Sequence, residues 1–214
     1  LAQTGNGTAA YIDTMQEARK LLRDDLAGSL FPIADDVKIQ IEFNPALVAE
    51  YRLIGYETRL LAREDFNNDK VDAGEVGSGI SVTALYEITP VGAKGSSDPL
   101  RYSDESKAPH KGGELAFLKV RYKEPGGSTS KLIEQAISAD ALASIDAAPE
   151  ATRWAVAVAG FGERLRGSPW VGDSFGFDQI VALAQKARGD DEFGLRAEFV
   201  QLVRAAKDAK SLNE

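Results

Sequence analysis

Apolar and polar residues alternate most cleanly in Val37-Lys-Ile-Gln-Ile-Glu-Phe43. Val37, Ile39, Ile41 and Phe43 fall on one face, and Lys38, Gln40 and Glu42 on the other. A period of two predicts a half-buried strand. A second alternation, Ile80-Ser-Val-Thr-Ala-Leu-Tyr-Glu-Ile88, predicts another strand that stops at Thr89-Pro90, because proline donates no ladder hydrogen bond. Tyr51 to Tyr56 reads as a strand broken by Gly55. Ala116, Leu118, Val120 and Tyr122 alternate with Lys119 and Arg121, turn at Glu124-Pro-Gly-Gly127, and return through Lys131 to Ser138 as a hairpin. Strands joined by turns rather than helices predict an antiparallel sheet or sandwich.

The period changes at about Asp146. Trp154, Val158, Phe161 and Leu165 form one helical stripe, Phe177, Ile180, Val181 and Ala184 a second, and Leu195, Phe199, Leu202, Val203 and Ala206 a third. Gly167-Ser-Pro169 and Gly189-Asp-Asp191 separate them, which predicts three antiparallel helices. At the other end, Ala9 to Ile12 reads as a short strand. Asp13 with Gln16 gives a helix start, Met15, Ala18, Leu22 and Leu26 follow at helical spacing, and Gly28 with Pro32 predicts the stop. A strand and helix of this kind belong to a larger α/β domain whose other elements lie elsewhere.

With 214 residues the chain is long enough to bury a real core. It has no cysteine, which excludes disulfides and thiolate metal sites, and one histidine, His110, which excludes multi-histidine metal sites. A net charge of -8 disfavours a phosphate-backbone partner, so no nucleic acid is expected. The deficit lies in residues 1–150, since residues 151–214 hold nine basic and nine acidic side chains. No apolar run is long enough for a membrane span. The chain opens Leu1-Ala-Gln without an initiator methionine, which suggests a fragment or a processed form.

Between the first strands lies Glu64-Asp-Phe-Asn-Asn-Asp-Lys-Val-Asp-Ala-Gly-Glu75, the main candidate for chemistry. Asp65, Asn67 and Asp69 stand at alternate positions, as oxygen ligands do in calcium loops, and Asp72 and Glu75 extend the set. Lys70 stands where such a loop needs glycine, and Val76 where it needs a bidentate glutamate. The simpler reading is a solvated acidic loop with Asx turns.

Other candidates reduce to structure. Ser128-Thr-Ser-Lys131 has a Ser-x-x-Lys spacing, but it follows Pro125-Gly-Gly127 in a hairpin, whereas that chemistry needs a helix. Gly77-Ser-Gly79 lacks the flanking glycines of a nucleophile elbow, and Gly5-Asn-Gly7 lacks the third glycine of a dinucleotide loop. Glu64 and Asp65, with Arg59 and Arg63 nearby, read as a solvated surface rather than an acid and base pair. His110, in the glycine- and serine-rich stretch from Val91 to Gly113, reads as a surface histidine in a long exposed loop. Trp154, Trp170, Phe175 and Phe177 read as helix packing before they read as a partner groove.

Several ordered blocks together resemble a known family. Asp36-Val-Lys-Ile-Gln-Ile-Glu-Phe-Asn-Pro45, Tyr51-Arg-Leu-Ile-Gly-Tyr-Glu57, Glu64-Asp-Phe-Asn-Asn68, Asp72-Ala-Gly-Glu75 and Val82-Thr-Ala-Leu-Tyr-Glu87 resemble the C-terminal domain that follows the von Willebrand factor type A (VWA) domain in bacterial proteins of the YfbK kind. Residues 1–30 look like the last strand and helix of the VWA domain itself. The resemblance implies an α+β chain: a terminal strand-helix unit in 1–30, an antiparallel β-sandwich-like region in 31–145 and a three-helix subdomain in 146–214. It carries over no metal ligand, because the Asp-x-Ser-x-Ser loop of VWA domains is not in this sequence. It implies a non-enzymatic accessory part that braces the VWA domain or binds a protein partner, including the upstream VWA and N-terminal parts of the same protein. The implied location is extracytoplasmic, in the periplasm or cell envelope. The alternative expectation is a calcium-stabilised adhesive module using loop 64–75.

Overall fold

The computed structural model describes residues 9–56, 60–93, 95, 113–141, 144–172 and 174–211. His110 and Gly5-Asn-Gly7 lie outside them. The architecture is α+β, with antiparallel sheets followed by three helices.

Residues 9–12 form no strand, contrary to the expectation from Ala9 to Ile12. A helical rod follows, made of α1 (Met15–Lys20), a π-helical turn (Leu21–Asp25) and α2 (Leu26–Leu30). Its N-cap is Thr14, one residue beyond Asp13: the hydroxyl accepts from the Glu17 N–H at 3.2 Å, and the Glu17 carboxylate accepts from the Asp13 N–H at 3.0 Å. Thr14 and Glu17 have the spacing of a capping box, and the glutamate outcompetes Gln16 because it also answers the positive helix end. Gly28 does not stop the helix. It lies inside α2, where a Cβ would meet the Ile80 side chain at 2.8 Å, so its bareness serves close packing.

Among the described residues six strands follow: β1 (Pro32–Phe43), β2 (Val48–Ile54), β3 (Gly74–Gly77), β4 (Leu85–Pro90), β5 (Glu114–Lys123) and β6 (Ser130–Ser138). They form a four-stranded sheet in the order β3-β1-β5-β6 and a two-stranded sheet of β2 and β4. All pairs are antiparallel. The β3 strand was not expected, because its partner β1 is remote in sequence. The second predicted strand is shorter than its alternation, since Ile80 to Ala84 join no ladder and only Leu85–Pro90 pairs with β2.

One extra residue in β1 between Asp35 and Lys38 opposes Lys123 to Arg121 of β5. Asp36 occupies this bulge with φ 51°, a left-handed conformation that aspartate tolerates better than most residues. Beyond the bulge Ile39, Ile41 and Phe43 share a face as expected, but burial at its start is reversed, with Lys38 3% and Ile39 47% exposed. The Ile39 face is covered at its Phe43 end by the small sheet, with ring centroids 4.7 Å from Tyr51 and 5.5 Å from Tyr86.

The helical part comprises α3 (Glu150–Leu165), α4 (Phe177–Lys186) and α5 (Leu195–Ser211). Its core is Ala157, Phe161, Ile180, Leu183, Ala184, Val200 and Val203. Trp154 and Phe161 both meet Phe199, at 5.1 and 5.5 Å. The α3 stripe is rotated from the expected one: Ala157 and Gly160 are buried, whereas Val158 and Leu165 are exposed. Small residues set the contact. A Cβ on Gly160 would lie 2.3 Å from Phe175 Cε1. In α5, likewise, Val200 replaces Leu202 in the core. No helix among the described residues is long and apolar enough to cross a membrane.

Candidate functional site

The acidic segment is not a free loop. Arg63–Asn67 forms a short 3-10 helix, and Gly74 to Gly77 is β3, so Glu75 belongs to a sheet edge. Phe66, 3% exposed, anchors the segment.

Cations from the sheet then hold it down. Lys38 comes from the nominally polar face of β1, yet it is 3% exposed. Its ammonium donates to the carbonyls of Asn68 at 2.5 Å and Asp65 at 3.4 Å. Arg121 of β5 donates to Asp69 Oδ1 from Nη2 at 3.0 Å and Nε at 3.3 Å, and to Asn67 Oδ1 from Nη1 at 3.3 Å. Lys123 donates to Asp36 Oδ2 at 2.5 Å and to the Asp69 carbonyl at 2.8 Å. The Ser130 hydroxyl also donates to Asp69. These donors, the serine first and then the guanidinium, hold the Asp69 carboxyl down to about 2. Lys123 likewise lowers Asp36, whose other oxygen accepts from the Ala73 N–H at 3.1 Å.

Of the five predicted ligands, the structure therefore joins Asn67 and Asp69 through Arg121, and leaves Asp72 and Glu75 outside that cluster. Asp65 contributes its carbonyl rather than its carboxylate to the Lys38 bond. No group of three or more histidine or carboxylate side chains among the described residues converges as a metal site. A hard cation and these side-chain cations would compete for the same oxygens. Sequence reasoning missed Lys38, Arg121 and Lys123, although three cations on one face of β1 and β5 were a signal for an acidic cover.

A second polar node joins the small sheet to the helices. Arg52 of β2 donates from Nε to Glu87 of β4 at 2.6 Å and from Nη2 to Glu163 of α3 at 3.0 Å. Its guanidinium lies over Trp170, 5.1 Å from the ring centroid. Glu163 is buried, and its carboxyl is held below the usual range by the Ser168 side chain and then by Arg52, with Arg166 at 3.6 Å adding to it.

Apolar surface is unevenly covered. No residue of the rod from Met15 to Asp25 is buried, and Met15 and Leu22 are 70% and 64% exposed. With Ala18 and Phe193 they line an open cleft bounded by Arg23 and Glu192, whose bidentate pair closes at 2.8 Å for both bonds.

Bulged antiparallel sheets, a clamped acidic segment and a three-helix cap define an α+β module with uncovered apolar faces. The chain matches the family model described as "Uncharacterized protein YfbK, C-terminal" over residues 28–209, and it belongs to that family. It is 44% identical over 216 residues to the "Uncharacterized protein YfbK" of Escherichia coli (strain K12). That match covers all of this chain and 37% of the relative, so the chain corresponds to the C-terminal part of a larger protein. No solved structure matches.

Proposed function

We propose that this region is a non-enzymatic accessory module that braces, by direct protein-protein contact, the VWA-containing upstream part of a longer bacterial protein at the cell envelope. The observation that carries the reading is the uncovered apolar face of the rod, Met15, Leu22 and Leu26, on a helix that is otherwise well capped. A water-facing helix gains nothing from such a stripe, while a neighbouring domain gains roughly 1.5–3 kcal/mol for each large side chain it buries. The family model begins at residue 28, whereas the full-length relative aligns through the rod as well, which supports reading the rod as the junction with the upstream part. The VWA identity of that part and the envelope location rest on the sequence resemblance.

The test uses the full-length protein. Leu22→Asp and Leu26→Asp should lower its melting temperature, by the equivalent of about 1–3 kcal/mol each. Exposed positions would tolerate them, and an unchanged melt would refute the contact. Cell fractionation addresses location, where recovery with the cytosol counts against the envelope. Turnover of an ester or peptide substrate that is lost in His110→Ala would overturn the non-enzymatic reading.

A further inference from the structure

The four-stranded sheet treats its two edges differently. At one edge, β3 is sealed by α2: a Cβ on Gly77 would lie 1.9 Å from the Gly28 carbonyl oxygen, so backbone meets backbone. The opposite edge is β6, which pairs with β5 and, among the described residues, with nothing else. It is nine residues long, none of them buried, and it contains no proline. A strand of that length presents outward-pointing N–H and C=O groups at every second residue.

The apolar face beside that edge is also unfinished. Register places Ile39, Val120 and Ile133 in one row across β1, β5 and β6. Four residues along, Phe43, Ala116 and Ile137 form the row that the small sheet covers, and Ala116 is 3% exposed. The Ile39 row has no such cover: Ile39 is 47% and Ile133 54% exposed, and Leu132 on the reverse face of β6 is 48% exposed. Apolar side chains line both sides of an open backbone ladder, which is the pattern of a sheet lacking its outer strand.

We propose that β6 seats one further β-strand, supplied by the upstream part of the same polypeptide, whose alternate apolar residues cover Ile133 and the Ile39 row. Well over half of the E. coli relative lies outside the segment that this chain matches, which leaves ample polypeptide to supply that strand. The inference rests on the accessory reading above and adds the place and the mode of contact.

Hydrogen exchange on the full-length wild-type protein tests it. Amides of Leu132 to Ile137 should exchange at least roughly tenfold more slowly than those of an open edge, approaching β5. A benzoylphenylalanine placed at Glu134 should cross-link within one polypeptide to a segment upstream of this region. Ile133→Asp should release both β6 and that upstream segment while α3 to α5 stay protected. If this variant fails to fold, the wild-type exchange and the cross-link decide. Fast exchange of β6, or a cross-link to a second copy of the chain, overturns strand addition. Should β6 be open while the rod Met15 to Leu30 is protected, only this inference falls. Exchange as fast as in an unprotected helix at both places would remove the accessory reading as well.

Discussion

Arg52 Nη2 lies 3.0 Å from Glu163 Oε2, and this pair ties the two-stranded sheet to the first helix of the C-terminal bundle. The carboxylate is buried and the guanidinium stacks over Trp170. Removing the arginine would leave a buried acceptor with the Ser168 side chain and a more distant Arg166. Arg52→Ala should therefore destabilise by about 1–3 kcal/mol, and Arg52→Lys, which cannot serve Glu87 and Glu163 in the same fork, should recover only part of it. Denaturant melts at pH 7 measure both.

The same pair makes a pH prediction. The Glu163 carboxyl is depressed in the folded state, so its contribution is present above its unfolded value of 4.5 and is lost as pH falls below that value through the folded one. Glu163→Gln should be less stable than wild type at pH 7, with a gap that narrows below pH 4.5. A gap independent of pH would assign the residue a purely steric role.

Lys38→Met keeps most of the stem volume but strips two loop carbonyls of their donor. The expected cost is about 1–3 kcal/mol, a drop of several degrees in melting temperature for a chain of this size. Exchange in residues 63–71 should quicken while the helical bundle does not respond.

Asp69 is held to about 2 by Ser130 and Arg121, so its stabilisation should be complete above the unfolded value of 3.8 and disappear as pH falls toward 2. Asp69→Asn should therefore melt lower than wild type at pH 7 and converge with it in acid. Because the side-chain oxygens of Asn67 and Asp69 already serve Arg121, calcium or a chelator should leave the melting temperature of this chain unchanged. A calcium-specific rise of a few degrees, lost in Asp65→Asn, would reinstate the adhesive reading.

Gly77→Ala directs a methyl group at the Gly28 backbone, where no rotamer change can relieve the overlap. It should cost about 1–3 kcal/mol and loosen α2 from the β3 edge. Gly28→Ala should cost less, since the atoms it meets first belong to the Ile80 side chain. Paired denaturant melts decide the order.

The elements were largely legible because they follow local periods. Alternation over Val37 to Phe43 and from Ala116 to Tyr122, the Glu124-Pro-Gly-Gly127 turn and the three helical stripes all became structure near their expected places. These signals need only the side chain's own preference for one face. The family resemblance was legible on the same terms, as ordered blocks of residues. What failed was whatever depends on a distant neighbour. Ile80 to Ala84 alternate without a strand because β2 offers a partner only from Leu85 onward. Lys38 sits on a polar face that becomes interior once Phe66 anchors the acidic segment over it. Asp65, Asn67 and Asp69 have the spacing of cation ligands, but register carries Arg121 beneath the last two, and its guanidinium takes their side-chain oxygens. The α3 stripe rotated for a similar reason, since Gly160 admits Phe175 closely and shape outranks hydrophobicity there. Periodicity determined which residues wanted an interior; only the packing of remote segments decided which faces received one, because burial belongs to pairs of surfaces.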